Sequence, residues 1–89
     1  MKNIKCIKII NINSKTYEII FKCNDNTKRK FNINSILNSN NISEGMKETW
    51  KCMLNSGDFN KAYLLDGDLI WPGRCEIIAN DLNEYLEVI

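Results

Sequence analysis

Few side chains in this chain could do chemistry, and the types that are missing decide as much as those present. No histidine occurs, which removes Ser-His-Asp and Cys-His relays and imidazole ligation of a metal. Cys6, Cys23, Cys52 and Cys75 are dispersed, with no C-x-x-C pair, a spacing unlike that of a zinc site. A cysteine nucleophile would need a basic pocket to lower its pKa, and none of the four has an evident one. Asp66 and Asp68 flank Gly67 and could be read as an acid–base or metal-binding pair. Asp-Gly is also the preferred centre of a two-residue hairpin turn, where both positions take positive φ, and the turn reading is the stronger. There is no glycine-rich phosphate loop. The expectation is a protein without catalytic residues, metal or cofactor.

Charge offers more. The formal net charge is +1, but residues 1–30 hold eight positive charges against Glu18 and Asp25, while residues 31–89 hold four positives against nine negatives. Two mixed solvated surfaces would explain this; so would a basic face and an acidic face, each open to a partner of opposite sign. The acidic candidates are Asp66, Asp68, Glu76, Asp81, Glu84 and Glu87, and from Asp66 onward only Arg74 opposes them. Trp71, at a strand end before Pro72-Gly73, is assigned to the rim of that surface. The basic candidates are Lys22, Lys28, Arg29 and Lys30, at one end of a hairpin. Exposed lysines there also serve as a solvated edge that discourages strand pairing, and no aromatic interleaves them as on a single-strand platform.

The elements that must position these groups read as follows. Ile4 to Ile10 is a strand with apolar residues on both faces, which predicts at least partial cover on both sides, and Asn11 to Lys15 is a polar turn. Tyr17 to Cys23 alternates with a period of two and is a second strand. Asn24-Asp25-Asn26-Thr27 is turn chemistry, and Lys28 to Ile33 is a third strand with Phe31 and Ile33 inward. Asn34 or Ser35 caps a short helical turn holding Ile36 and Leu37; Ser39 to Gly45 is a polar loop. Met46, Trp50, Met53 and Leu54 make one apolar stripe, a helix over 46–55 with Trp50 as its core anchor and Gly57 as its stop. Two short strands turn at Asp66-Gly67, and Pro72 ends the second at Trp71. Arg74 to Ile78 is a last short strand. Asn80 or Asp81 caps a terminal helix over 81–88, with Leu82, Tyr85, Leu86 and Ile89 on one face and Glu84 beside Glu87 on the other. This predicts one α+β domain over 1–89, with a three-strand N-terminal meander, a C-terminal hairpin and two main helices. Its antiparallel strands, about five, form one sheet or two abutting sheets.

The N-terminus alternates lysine with isoleucine and has no apolar core of a signal peptide. No apolar run is long enough for a membrane span. The expectation is a cytoplasmic protein with four free thiols.

From Phe21 through Leu37, and again from Trp50 to Leu86, the chain resembles the bacterial domain-of-unknown-function family 2442. The residues that carry the resemblance are Phe21, the Asn24-Asp25-Asn26 turn, Phe31 to Leu37, Leu54 with Phe59, Ile70-Trp71-Pro72-Gly73, Glu76-Ile77, and Asp81-Leu82 with Tyr85. Asn26, Asn32 and Glu76 depart from that pattern, and Arg74 and Cys75 crowd the Trp-Pro-Gly step. The resemblance implies a small α+β domain, often encoded beside a toxin-like partner, and brings no catalytic activity.

The leading functional expectation is a non-enzymatic domain that binds and regulates or inhibits a protein partner such as a nuclease or toxin. An antitoxin-like subunit or a phage-encoded inhibitor of a defence nuclease, such as an anti-CRISPR, would be of this kind. The alternative is a nucleic-acid-binding regulator that uses the basic hairpin. A small hydrolase is a third reading, disfavoured by the missing histidine.

Overall fold

A computed structural model describes residues 4–89; Lys2, counted above among the basic residues, lies outside them. The first three strands, β1 (Cys6–Asn13), β2 (Glu18–Cys23) and β3 (Lys28–Asn32), pair antiparallel as the predicted meander. Alternation in β2 turns Ile19, Phe21 and Cys23 into the core and leaves Glu18, Ile20 and Lys22 on the outer face. In β1 the pairing slips twice, between Cys6 and Lys8 and between Ile9 and Asn11. Each slip is a bulge that leaves one residue, Ile7 or Ile10, without a residue opposite. Both are about half exposed, while Cys6 is buried and Ile9 and Ile12 pack against the core, so β1 is covered only in part. The strand also runs through Asn11 to Asn13, where polar composition predicts turn. The turn itself is held by Asn13, which accepts hydrogen bonds from the backbone N–H groups of Lys15 and Thr16. Tyr17 ends it at φ 57°, a costly conformation for a bulky residue, with its ring edge-on to Phe59 at 5.4 Å.

Next, α1 (Asn34–Leu37) forms where Ile36 and Leu37 place it, but neither Asn34 nor Ser35 caps it. Asn32 stands in, its Oδ1 accepting from the Asn34 N–H at 2.8 Å. The long helix α2 (Glu44–Asn55) starts two residues before Met46 because Ser43 caps it, accepting from the Met46 N–H. Trp50 and Met53 are buried, Leu54 packs at the core's margin, and Met46 is half exposed. Gly57 ends the helix at φ 80°.

A 3-10 turn (Phe59–Lys61) leads to a second antiparallel sheet, β4 (Tyr63–Leu65), β5 (Asp68–Trp71) and β6 (Cys75–Ile77), in that order. Asp66 and Gly67 take φ 51° and 88°, both positive as a type I′ turn demands. Gly67 is also held by close approach, since a Cβ there would lie 2.8 Å from the Lys5 side chain. Meander and hairpin thus belong to two sheets, with more strands in all than the five expected.

The largest departure is at the C-terminus. Ala79–Leu82 (α3) and a following 3-10 turn (Asn83–Tyr85) are helical, but Leu86–Val88 is a strand, β7, paired antiparallel with β3. The expected helix over 81–88 therefore stops at Tyr85. A helix this short gains little from its own hydrogen bonds, whereas β3 offers an edge on which Leu86 meets Phe31. Neither Asn80 nor Asp81 caps α3; Asp68 reaches across from β5 and accepts from the Ala79 N–H at 2.8 Å.

The core joins both sheets and α2 around Trp71. Its ring lies 5.2 Å from Trp50, edge-on, and 5.8 Å and 6.4 Å from Phe59 and Phe31. Its Nε1–H donates to the Phe59 carbonyl at 2.9 Å. The Trp50 Nε1–H meets no acceptor among the described residues. At the surface, ion pairs tie turns to sheets: Lys5 to Asp66 at 2.8 Å, Lys61 and Arg74 to Asp58 at 3.0 and 3.1 Å, and Arg29 to Asp25 at 3.3 Å. Each of these carboxyls is held below its usual range. For Asp66 the cause is the hydrogen bond from Lys5; for Asp58 it is the bonds from Lys61 and then Arg74. For Asp25 it is Thr27 ahead of Arg29.

Trp71→Ala and Trp50→Ala should each cost roughly 3–5 kcal/mol. The phenylalanine variants separate the two rings. Trp71→Phe strands the buried Phe59 carbonyl, whereas Trp50→Phe removes an N–H that has no acceptor. Denaturant unfolding should find Trp71→Phe the more destabilised, and the reverse order would remove Trp71 from its central place. The depressed carboxyls stabilise the fold above their unfolded pKa and lose that contribution as pH falls through the lower folded value. Melting temperature should be level from about pH 7 to 5 and fall below about pH 4. An unchanged melt at about pH 3 would show that these pairs contribute nothing.

Candidate functional site

Three adjoining concavities open along the Asn83–Tyr85 turn, and Tyr85 lines all of them. The first, about 320 Å³, lies between the outer face of the meander and α1, with Glu18, Lys30, Asn32 and Glu87 on its walls. The second joins Glu84 and Glu87 to Ser35, Ser39 and Asn41. The third runs toward α2, where Glu76, Asp81 and Glu84 stand beside apolar Ile36, Ile42 and Met46. Adjoining through shared walls, the three make up one acidic stretch of surface, called the groove below, rich in asparagine and serine, with a half-buried tyrosine at its middle.

The C-terminal strand builds this groove. Pairing with β3 sets Leu86 opposite Phe31, on the core side, and Glu87 opposite Lys30, on the outer side. Lys30 also pairs with Glu18 at 3.3 Å. The Glu18 carboxyl is held below its usual range first by the Thr16 hydroxyl, then by Lys30 and Asn32. That end of the groove is partly neutralised. Toward the other end, Glu76, Asp81 and Glu84 have no cation within 4.0 Å among the described residues, and neither does Glu87. Acceptor oxygens of this density suit a guanidinium or ammonium group arriving from outside. Among the described residues no three His, Cys, Asp or Glu side chains gather closely enough to hold a metal ion.

Of the acidic residues singled out in the sequence, Glu76, Asp81, Glu84 and Glu87 thus meet in one groove. Glu84 and Glu87 are not neighbours on a helix face, because Glu87 belongs to β7. Asp66 and Asp68 lie elsewhere and have structural tasks, one in the ion pair with Lys5 and the other capping α3. Trp71 is not at a rim: alternation in β5 puts it on the inner face with Leu69, and it is 1% exposed. Neither Tyr85 nor Glu18 is among the site candidates that the sequence offers. Tyr85 was hidden by a stripe that reads as helix core, and Glu18 by its place in an ordinary alternating strand.

The basic candidates also divide. Arg29 is engaged by Asp25 and Thr27, and Lys30 by Glu18. Lys22 and Lys28 stand opposite each other on the outer face, and β1 adds Lys8 opposite Lys22. The result is a row of three exposed lysines across three strands, with no carboxylate within 4.0 Å among the described residues. Like charges set directly opposite one another are unfavourable. Lys8 enters the row only through the bulge after Cys6, a slip that alternation does not reveal.

All four cysteines are free thiols; Cys52 is exposed, and burial pushes the Cys75 thiol up to about 11. Among the described residues, no helix is long and apolar enough to cross a membrane. The chain matches no protein-family model, no curated protein and no solved structure.

Proposed function

We propose that this chain is a non-enzymatic binding domain whose acidic groove receives a basic segment of a partner protein. The observation that carries the reading is the convergence of Glu76, Asp81, Glu84 and Glu87 around Tyr85, without cations of their own. Complementary charge at such a surface speeds association and selects the partner. The serine and asparagine groups of the walls supply further hydrogen-bonding sites, and Tyr85 supplies an amphipathic contact of the kind enriched at interfaces. A nuclease or toxin, whose own substrate-binding surface is basic, is the class of partner that fits. On this reading the domain works in the cytoplasm by occupying that surface, as an antitoxin or a phage-encoded inhibitor would.

The row of Lys8, Lys22 and Lys28 favours a second reading, in which the outer face of the meander meets nucleic-acid phosphates. It ranks behind the first because no aromatic side chain stands among these lysines to stack on a base.

The two readings separate by charge reversal. Protein immobilised as bait should retain a basic partner from host lysate, and Glu76→Lys with Glu84→Lys should weaken that capture at least about fivefold. Capture by the parent should fall as salt rises. Reversal of Lys8 and Lys22 to glutamate should leave capture unchanged. If the lysine reversal abolishes binding to labelled DNA or RNA while the acidic reversal has no effect on any partner, the nucleic-acid reading replaces the first.

A further inference from the structure

We propose that Cys6 and Cys23 are a redox-closable pair, in which a small peroxide joins β1 to β2 through a cross-strand disulfide and external thiols reopen it. The proposal is independent of the groove.

The two residues face each other directly in the ladder, and their Sγ atoms lie 3.9 Å apart. The bond from the Asn24 N–H to the Lys5 carbonyl, at 2.9 Å, brackets the pair one residue outside each cysteine. That pattern marks a non-hydrogen-bonded antiparallel site, where opposite Cα atoms approach to about 4.5 Å and side chains are closest. This lies within the roughly 4.4–6.8 Å that a disulfide spans. To bond, the sulfurs must turn toward each other and close from 3.9 Å to about 2.05 Å.

The surroundings set the conditions for closure. Both residues are buried, Cys6 at 2% and Cys23 at 0% exposure. Burial, together with the neighbouring Cys23, pushes the Cys6 thiol up to about 12, so thiolate is scarce while the sheet is closed. Yet β1 is an edge strand, bulged immediately after Cys6. Edge strands open locally at lower cost than a domain unfolds. Oxidation is therefore slow in the closed sheet and proceeds as the end of β1 lifts.

The step balances with hydrogen peroxide as co-reactant. One thiolate attacks a peroxide oxygen, giving a sulfenic acid and hydroxide, which takes up the thiol's proton as water. The second sulfur attacks the sulfenic sulfur; the S–S bond forms, the S–O bond breaks, and a second water leaves. Two thiols lose two electrons, and one peroxide becomes two waters. The bond fastens the edge strand that carries Lys8, and with it one end of the lysine row.

The test uses the full chain with Cys52→Ser and Cys75→Ser, alongside the parent. Reduced protein is treated with stoichiometric hydrogen peroxide, alkylated in denaturant, and measured by intact mass and peptide mapping. The double variant should lose two hydrogen atoms and accept no alkylating agent, with Cys6 and Cys23 in one cross-linked peptide. Dithiothreitol should restore both thiols. Closure should raise the melting temperature by roughly 10 °C. The parent should give the same cross-linked peptide, with exposed Cys52 competing for the peroxide. Two thiols that stay reactive, a sulfinic acid at either sulfur, or a bond between copies of the chain would overturn the proposal.

Discussion

The fold depends on the indole of Trp71. Its ring is where β5, β3, α2 and the turn at Phe59 meet, and its N–H satisfies a carbonyl that would otherwise be buried unpaired. In a domain of this size a single core must serve both sheets. One large side chain with a polar handle does what two smaller ones could not: it fills the junction and fixes the 3-10 turn against it. Pro72 follows directly, ending β5 so that the ring stays at the strand's inner end.

With the interior committed in this way, chemistry is left to the outer face of the first sheet and to the groove beside it. That face is sorted by charge along its strands. Lysines 8, 22 and 28 cross one end, Ile20 and Lys30 lie at the middle, and Glu18, Asn32 and the groove lie at the other. Lysines from the first thirty residues thus mark one end of this face, and Glu18 with Glu87 marks the other. Such a surface carries an electric dipole that orients an incoming charged molecule before contact.

Where sequence and structure agree, local chemistry decides; the largest differences are set by distant segments, the smaller ones by a neighbouring cap such as Asn32 or Ser43. Alternation in Tyr17 to Cys23 and the Asp66-Gly67 turn are legible because the period of two and the positive φ are local demands. The anchor role of Trp50 is legible from helical spacing alone. Leu86 is not: it satisfies a helical stripe and a strand equally, and the open edge of β3, more than fifty residues earlier, settles the matter. The place of Trp71 fails for a related reason, since a strand end before Pro-Gly reads as periphery until the second sheet packs on it. Of the acidic residues, Glu76, Asp81, Glu84 and Glu87 could be nominated by charge, but not sorted from Asp66 and Asp68. The partners of those two, Lys5 and the Ala79 N–H, come from elsewhere in the chain.

The pairing of β7 with β3 has a consequence for when the groove exists. The meander is built from neighbours in sequence, so it can assemble early, while the β3–β7 ladder must close a long loop and comes late. The groove's defining residues, Tyr85 and Glu87, sit at that final closure. A chain whose core is incomplete thus presents no groove, even with its meander formed. Recognition by a partner would then report that folding has finished, and fraying of the three-residue β7 would withdraw the surface without melting the core.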